Sequence, residues 1–374
     1  MRHGAVDVHK KSSRMCLEVA GGGYEEFDVA TERGALTEAL GKRPRCKLLI
    51  ESSTESEWVA CLLEELGHEA VVGDPNFQLM YASRSKRIKT DRRDARALCD
   101  ACRLGNYRAA HRTSGPWREV RQELSVRDAL VRSRTRMINV VRSLLRQEGV
   151  RLPSGSAEDF ASRFRKTMAA EVKAAATVGS TTVATTPGAM PAAKAMAELS
   201  QRVHPLARTI GLLGGRIRRS DQKMSQLAAG QERVRRLMTA PCVGQVTALG
   251  FAAVLEPAER FGSGEQVGCY LGLVPGEDSS SERRRLGRIT KTGNKRVRWL
   301  LVETGWRVLR STEAAAQPLR RWGEKIAKRS GRAKAAVALA RKMSVPLWAM
   351  DRDKKEYQPV RAASVTAAAW AGNE

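Results

Sequence analysis

The chain has 374 residues, with 66 Lys plus Arg against 40 Asp plus Glu and a formal charge of +26. The length suggests two or three domains, and the charge favours a polyanionic partner such as nucleic acid. No run of 18 apolar residues offers a membrane span, and seven scattered cysteines with an N-terminus, MRHGAVDVHKK, that lacks an apolar signal core read as a reduced, cytoplasmic protein. In chain order, segments 4–9, 14–19 and 25–30 predict three strands in a meander. Residues 31–40 read as a helix and CKLLIE (46–51) as a short buried strand. Residues 56–67 form an amphipathic helix ending at Gly67, and 68–75 a strand stopped by Asp74-Pro75. This order predicts a mixed α/β sheet with helices on its faces.

Four acids stand out in this otherwise basic stretch. Asp7 falls in the middle of the first predicted strand, and Glu51 at the end of the fourth. Ligand sites of open α/β sheets collect at such strand ends. Thr90 reads as the N-cap of a helix over 91–105, and the i,i+3 spacing puts Asp91 and Asp94 on one face. Like charges there repel unless cations or water neutralise them. Magnesium takes oxygen ligands, and two such ions stabilise attacking and leaving oxygens in phosphoryl transfer. Each carboxylate alone is more often a cap or a solvated group; the combination points to a metal site. Lys86, Arg87, Lys89, Arg92 and Arg93 flank the pair, some as phosphate contacts and others facing solvent. Cys99 and Cys102 form a CxxC without a second pair or nearby His, and their spacing suits an apolar helix face better than zinc. The five His are dispersed.

Residues 116–149 predict one long basic helix, a helical arm or dimerising coiled coil, stopped by Gly149 and Pro153. Residues 172–198 are rich in Ala, Thr, Gly and Ser and read as a weakly structured insertion or linker. A helix resumes near 195 and runs with breaks to about 237, interrupted at Gly211, Gly214 and Gly215; the two long helical regions could pair antiparallel. LMTAPCVGQVTALGFAAVL predicts a helical hairpin, with Cys242 where a Gly would ease the turn. Residues 264–272 read as a helix, Pro275 and Gly276 as a break, and Ser279, Ser280 and Ser281 follow. The basic run Arg283, Arg284, Arg285, Arg288, Lys291, Lys295, Arg296 and Arg298 is the best phosphate-contact region of the chain. A serine in a basic loop can attack phosphorus if metals or a base activate it, though most serine clusters are plain polar loops. Residues 326–346 predict a basic helix followed by apolar packing, and the Ala-rich tail after 361 looks dispensable.

The ordered set AVDVHK, LLIES, KTDRRDA, APCVG, CYLGLVPGEDSSSERRRLGRITKTGNKRVRWLL and ALARKM resembles the IS110/IS1111 family of bacterial insertion-sequence transposases, from about residue 4 to 357. The resemblance implies a RuvC-like, ribonuclease H-type α/β domain over 1–112 and a helical coiled-coil region over 113–236, with the insertion at about 172–194. It further implies a small, mainly helical transposase domain over 237–360, leaving 361–374 as a flexible tail. It matches Asp7, Glu51, Asp91 and Asp94 to the family's DEDD acids, which bind Mg2+, two ions in all. It matches Ser279 and Ser280 to a two-serine motif, with Ser280 preferred as the nucleophile. Ser281 and Cys242 depart from the family's usual Gly and Pro-Gly.

The implied reaction is cleavage and rejoining of donor and target DNA through a phosphoserine link, which a hydroxyl of the partner strand reverses. The resemblance also implies a noncoding bridge RNA that pairs with both DNAs, a homo-oligomer, dimer or tetramer, and a bacterial, nucleoid-associated location. Two other readings compete. A RuvC-type structure-selective endonuclease needs the acids but not the serine. A noncatalytic nucleic-acid-binding protein shows salt-dependent binding and no metal-dependent adduct.

Overall fold

In the computed structural model, which describes residues 1–82, 90–179, 192–278 and 285–358, the first unit (Met1–Arg112) is built on five strands in the order β3-β2-β1-β4-β5. Strands β1 (Arg2–Val8), β2 (Ser12–Glu18) and β3 (Tyr24–Ala30) form the expected antiparallel meander. Gly21, Gly22 and Gly23 all have φ near +100° in the second turn, a backbone that side chains resist. Helix α1 (Arg33–Leu40) crosses to β4 (Cys46–Glu51), which runs parallel to β1, and α2 (Ser56–Glu65) crosses to β5 (Glu69–Gly73), parallel to β4. Helix α3 (Asp91–Leu104) follows.

Strand alternation sorts these side chains onto two faces. Val6, Val8, Leu48 and Ile50 pack with Leu36, Leu40, Val59 and Leu63 of α1 and α2. Ala5 and Leu49 point the other way, to Ala95, Leu98, Cys99 and Cys102 of α3. Cys99 and Cys102 thus belong to the buried stripe of α3. Asp7 and Glu51 are in phase with Ala5 and Leu49, so both fall on the α3 face. Asp7 is not mid-strand, as expected, but the penultimate residue of β1, because the strand runs from Arg2 and ends at Val8.

The second unit (Thr113–Glu374) opens with α4 (Gly115–Gln147), one continuous basic helix. Helix α5 (Phe160–Gly179) and α6 (Ala192–Gly230) pack with it around Ile138, Val141, Leu145, Phe160, Phe164, Val203 and Ile210. Ion pairs Arg127–Asp221 and Glu123–Lys223 set α4 and α6 antiparallel. Residues 172–179 and 192–198 are therefore helical, not part of a weakly structured linker; the rest of that stretch lies outside the described residues. Gly211, Gly214 and Gly215 do not interrupt α6. Gly214 faces the buried Arg134 guanidinium, which a Cβ there would meet at 4.0 Å, an ordinary contact, so packing does not demand a glycine.

Helix α7 (Glu232–Leu237) and α8 (Gln245–Leu255) make the expected hairpin, and α8 is buried from Thr247 to Leu255 as the axis of the main core. Helix α9 (Gly264–Tyr270) precedes an unexpected pair of short antiparallel strands, β6 (Pro275–Glu277) and β7 (Leu286–Ile289), where Pro275-Gly276 had suggested only a break. Helix α10 (Lys295–Arg310) follows, capped by the Asn294 side chain. The predicted basic helix near 326–346 is two helices, α11 (Gln317–Ser330) and α12 (Arg332–Arg352), divided at Gly331 with φ +88°. No helix among the described residues is long and apolar enough to cross a membrane.

Candidate functional site

The parallel register of β1 and β4 pairs Val6 with Ile50, so Asp7 and Glu51 come next on their strands, side by side at the same sheet end. The first turn of α3 arrives over this end. Thr90 caps the helix as expected, its hydroxyl accepting from the Arg93 amide at 3.3 Å. The helix phase that buries Ala95 and Leu98 also buries Asp94, while Asp91 stays exposed.

Asp7 is 7% exposed. Burial is the main force pushing its carboxyl up to about 6; His9 pulls it down, and Glu51, Asp91 and Asp94 push it up in turn. All three other acids therefore lie within the electrostatic reach of Asp7. His9, one of five histidines dispersed along the sequence, sits in their midst. Its Nε2 is 3.4 Å from Asp7 Oδ2 and 3.6 Å from Asp91 Oδ1. One ligand atom from each of Asp7, His9 and Asp91 lies within 4.8 Å of the others, a spread that one cation could bridge. The i,i+2 spacing of Asp7 and His9 along an extended chain was the available signal for this histidine.

The flanking bases divide. Arg92 and Arg96 both donate to Glu26 of β3, whose carboxylate is nearly buried and which fixes α3 against the sheet. Lys86, Arg87 and Lys89 lie outside the described residues, as do Ser279, Ser280, Ser281, Arg283 and Arg284. The described part of the second basic run is not uniform. Arg285, Arg288, Lys291 and Lys295 are exposed. Arg296 is half-buried and donates to Ser125 Oγ at 2.8 Å and to the Arg121 carbonyl at 3.4 Å. Arg298 is buried, against expectation: its guanidinium donates to the carbonyls of Leu271 at 2.9 Å and Thr292 at 2.7 Å. It braces the turn before α10 and is not a phosphate contact. In the hairpin turn, Cys242 has φ +62°, so the position where a Gly would be easier is indeed left-handed.

Two family models match the chain. A DEDD transposase model of the IS110 type matches residues 5–149, and one described as the transposase IS116/IS110/IS902 family matches residues 234–320. A probable family 20 transposase of Pseudomonas aeruginosa is 30% identical over 328 residues, 88% of this chain and 90% of that protein. The transposase for insertion sequence element IS1328 of Yersinia enterocolitica is 28% identical, covering 84% of this chain and 86% of its own. The transposase for insertion sequence element IS1111A of Coxiella burnetii is 27% identical over 73% of this chain and 69% of its own.

Proposed function

Because the chain belongs to the IS116/IS110/IS902 family of transposases, we propose that it recombines DNA with Asp7, Glu51, Asp91 and Asp94 as magnesium ligands and a serine of the Ser279–Ser280 pair as nucleophile. The observation that carries the metal part of this reading is the meeting of the four acids at one sheet end, with Asp7 buried among like charges; the serine part rests on the family resemblance. Such a cluster is unfavourable alone, and a hard divalent cation relieves it. The donor set is mainly carboxylate oxygen, which suits Mg2+, and a DEDD family model suggests divalent metal use. The order of the five strands and the placement of α3 are consistent with a RuvC-like fold.

Two magnesium ions held there would stabilise negative charge on the attacking and leaving oxygens of a phosphodiester. The protein's own steps are these. The Ser280 hydroxyl, with Ser279 as its alternative, attacks a DNA phosphorus; a phosphoserine ester forms as the DNA hydroxyl departs. A hydroxyl of the partner strand then attacks that ester and frees the serine. Each step exchanges one phosphoester for another, so no ATP is consumed. Exposed Arg285, Arg288, Lys291 and Lys295 contact backbone phosphates and carry little sequence information. A bridge RNA from the element supplies sequence choice by base pairing with donor and target DNA.

The enzyme acts as a homo-oligomer, because two duplexes must be held at once. Helix α4 supports this with Val126, Leu130, Ser133, Met137, Val140 and Leu144 at alternating steps of four and three; Val126, Val140 and Leu144 are exposed, while Met137 also packs on the α4–α5–α6 core. That is the spacing of a coiled-coil seam for a second copy.

A strand-exchange assay with purified protein, donor and target DNA, and RNA transcribed from sequence flanking the gene tests the proposal. Asp7→Asn should yield no joined product, and one of Ser279→Ala and Ser280→Ala should behave likewise. Normal exchange by both serine variants would remove the serine from the mechanism; full activity of Asp7→Asn would remove the metal site.

A further inference from the structure

We infer that the groove between α9, the β6–β7 pair, α11 and α12 binds an unpaired strand of DNA; that its ligand is DNA rests on the transposase reading above. The groove has a volume of about 1830 Å³ and lies wholly within the second unit. Its floor is apolar, with Leu273, Ile289, Val337 and Val345. Its rim is basic: Arg288, Lys325, Arg329, Lys334, Arg341 and Lys342 line it, and Glu265 is the one acid among the described lining residues.

Helix geometry makes this combination. On α11, Trp322, Lys325, Ile326 and Arg329 recur at steps of three and four; on α12, Lys334, Val337, Arg341 and Val345 do the same. Each helix therefore turns one mixed apolar and basic stripe to the groove. Ala333 and Ala338 keep the floor open between the larger residues. The Lys342 ammonium sits 4.6 Å over the Trp322 ring.

The chemistry selects the occupant. A rim this basic matches a phosphodiester backbone. A duplex hides its base faces inside the stack, so it can use the rim but not the floor. An unpaired strand presents bases that can lie on the floor and beside Trp322. The floor side chains Leu273, Ile289, Val337 and Val345 offer no hydrogen-bond partner to base edges, so the groove holds a strand by apolar contact with its bases and by phosphate contact at the rim, without reading sequence. One groove wall is formed by β6 and β7, the two strands that the Ser279–Ser280 segment joins in sequence. DNA that must be opened before strands are exchanged supplies such an unpaired strand.

The test uses full-length protein and fluorescence anisotropy with one oligonucleotide sequence as single-stranded DNA, duplex DNA and single-stranded RNA. The exposed-residue variant Lys325→Gln/Arg329→Gln/Lys334→Gln should lose at least about tenfold in single-strand affinity, and its log–log salt slope should shrink by about 2. Trp322→Leu should weaken single-stranded DNA by roughly 5- to 150-fold with the salt slope kept and leave the duplex unaffected. In parallel, single-stranded DNA carrying 5-iodouracil should photo-crosslink to the Trp322 peptide.

Equal losses for single strand and duplex would reduce the groove to a general phosphate patch and overturn the inference. So would crosslinks confined to other elements, or tighter binding of RNA than of DNA. Displacement of the DNA by an acidic amphipathic peptide that binds at least as tightly would assign the groove to a protein partner instead. If Trp322→Leu does not fold, the triple variant and the crosslink decide. Asp7→Asn protein should bind the single strand normally, so a failure of the cleavage chemistry and a failure of this site give different results.

Discussion

Asp7 and Glu51 lie side by side at the ends of two parallel strands, because Val6 and Ile50 are register partners across β1 and β4. Strand alternation then turns both carboxylates to the face that α3 covers, where Asp91 and Asp94 enter on the first helical turn. Three separate chain segments thus converge on one patch of negative charge.

Removing one of these charges should separate stability from function. In Asp7→Asn the cost of burying a charge and the repulsion from Glu51, Asp91 and Asp94 disappear, so without metal its melting temperature should equal or exceed that of the unmodified chain. A magnesium concentration of about 100 Kd should stabilise the unmodified protein by roughly 2.7 kcal/mol, and the variant far less. Calorimetry with and without Mg2+ checks both. Equal magnesium-induced shifts would remove Asp7 from the ligand set.

Arg288 and Arg298, ten positions apart in one basic run, should respond in opposite ways. Arg298→Met leaves the carbonyls of Leu271 and Thr292 without their donor and should cost about 3 kcal/mol or more. Arg288→Ala, at an exposed position, should change stability by less than about 0.5 kcal/mol while lowering the salt slope of DNA binding by about 1. Chemical denaturation and salt-dependent anisotropy measure the pair.

Turn geometry gives a sharper contrast. At Cys242, with φ +62°, glycine removes left-handed strain worth roughly 1 kcal/mol, so Cys242→Gly should be neutral to stabilising and Cys242→Val destabilising. Gly293→Ala should be severe, because φ is +72° and the new Cβ would fall 1.9 Å from the Tyr270 carbonyl oxygen. Melting temperatures of the three variants order these effects.

Arg233 of α7 donates through two nitrogens to Asp351 of α12, whose side chain is 2% exposed. Asp351→Ala strands the guanidinium and should destabilise by about 3–5 kcal/mol. The double variant Arg233→Met/Asp351→Leu, which removes both charges, should recover most of that loss in urea denaturation.

Much of the acidic site was legible from residue types alone. An Asp and a Glu on apolar strands, and a Thr before an i,i+3 Asp pair, each carry a local signature. Their meeting depended on sheet register, a long-range property that local pattern does not hold. His9 is hidden in the sequence because five dispersed histidines carry no cluster signature; only its place two residues beyond Asp7 on an extended chain marks it. Arg298 escaped because a run of bases hides helical phase: on α10 it aligns with buried Leu301 and Gly305, whereas Lys295 does not.

Glycine and proline punctuate this chain unevenly. Gly211, Gly214 and Gly215 look like breaks, yet α6 tolerates them because packing against α4 outweighs their propensity. Gly331 looks tolerable inside a basic helix, yet it ends one helix and starts another. Pro275-Gly276 reads as a stop until β7 arrives to pair with it. At the α6 glycines and at Pro275-Gly276 tertiary packing or pairing overrides the local preference, whereas at Gly331 the local preference of glycine for a left-handed cap prevails over the basic helical pattern.

The central claim is a metal-dependent serine attack on DNA, and mapping the covalent adduct tests it most directly. Protein quenched in denaturant after reaction with donor and target DNA and Mg2+, then digested with nuclease and protease, should carry a nucleotide on Ser280 or Ser279. That adduct should vanish with EDTA and in Asp7→Asn. DNA that is cut and rejoined with no adduct on either serine, or an adduct that forms without divalent metal, would contradict the account.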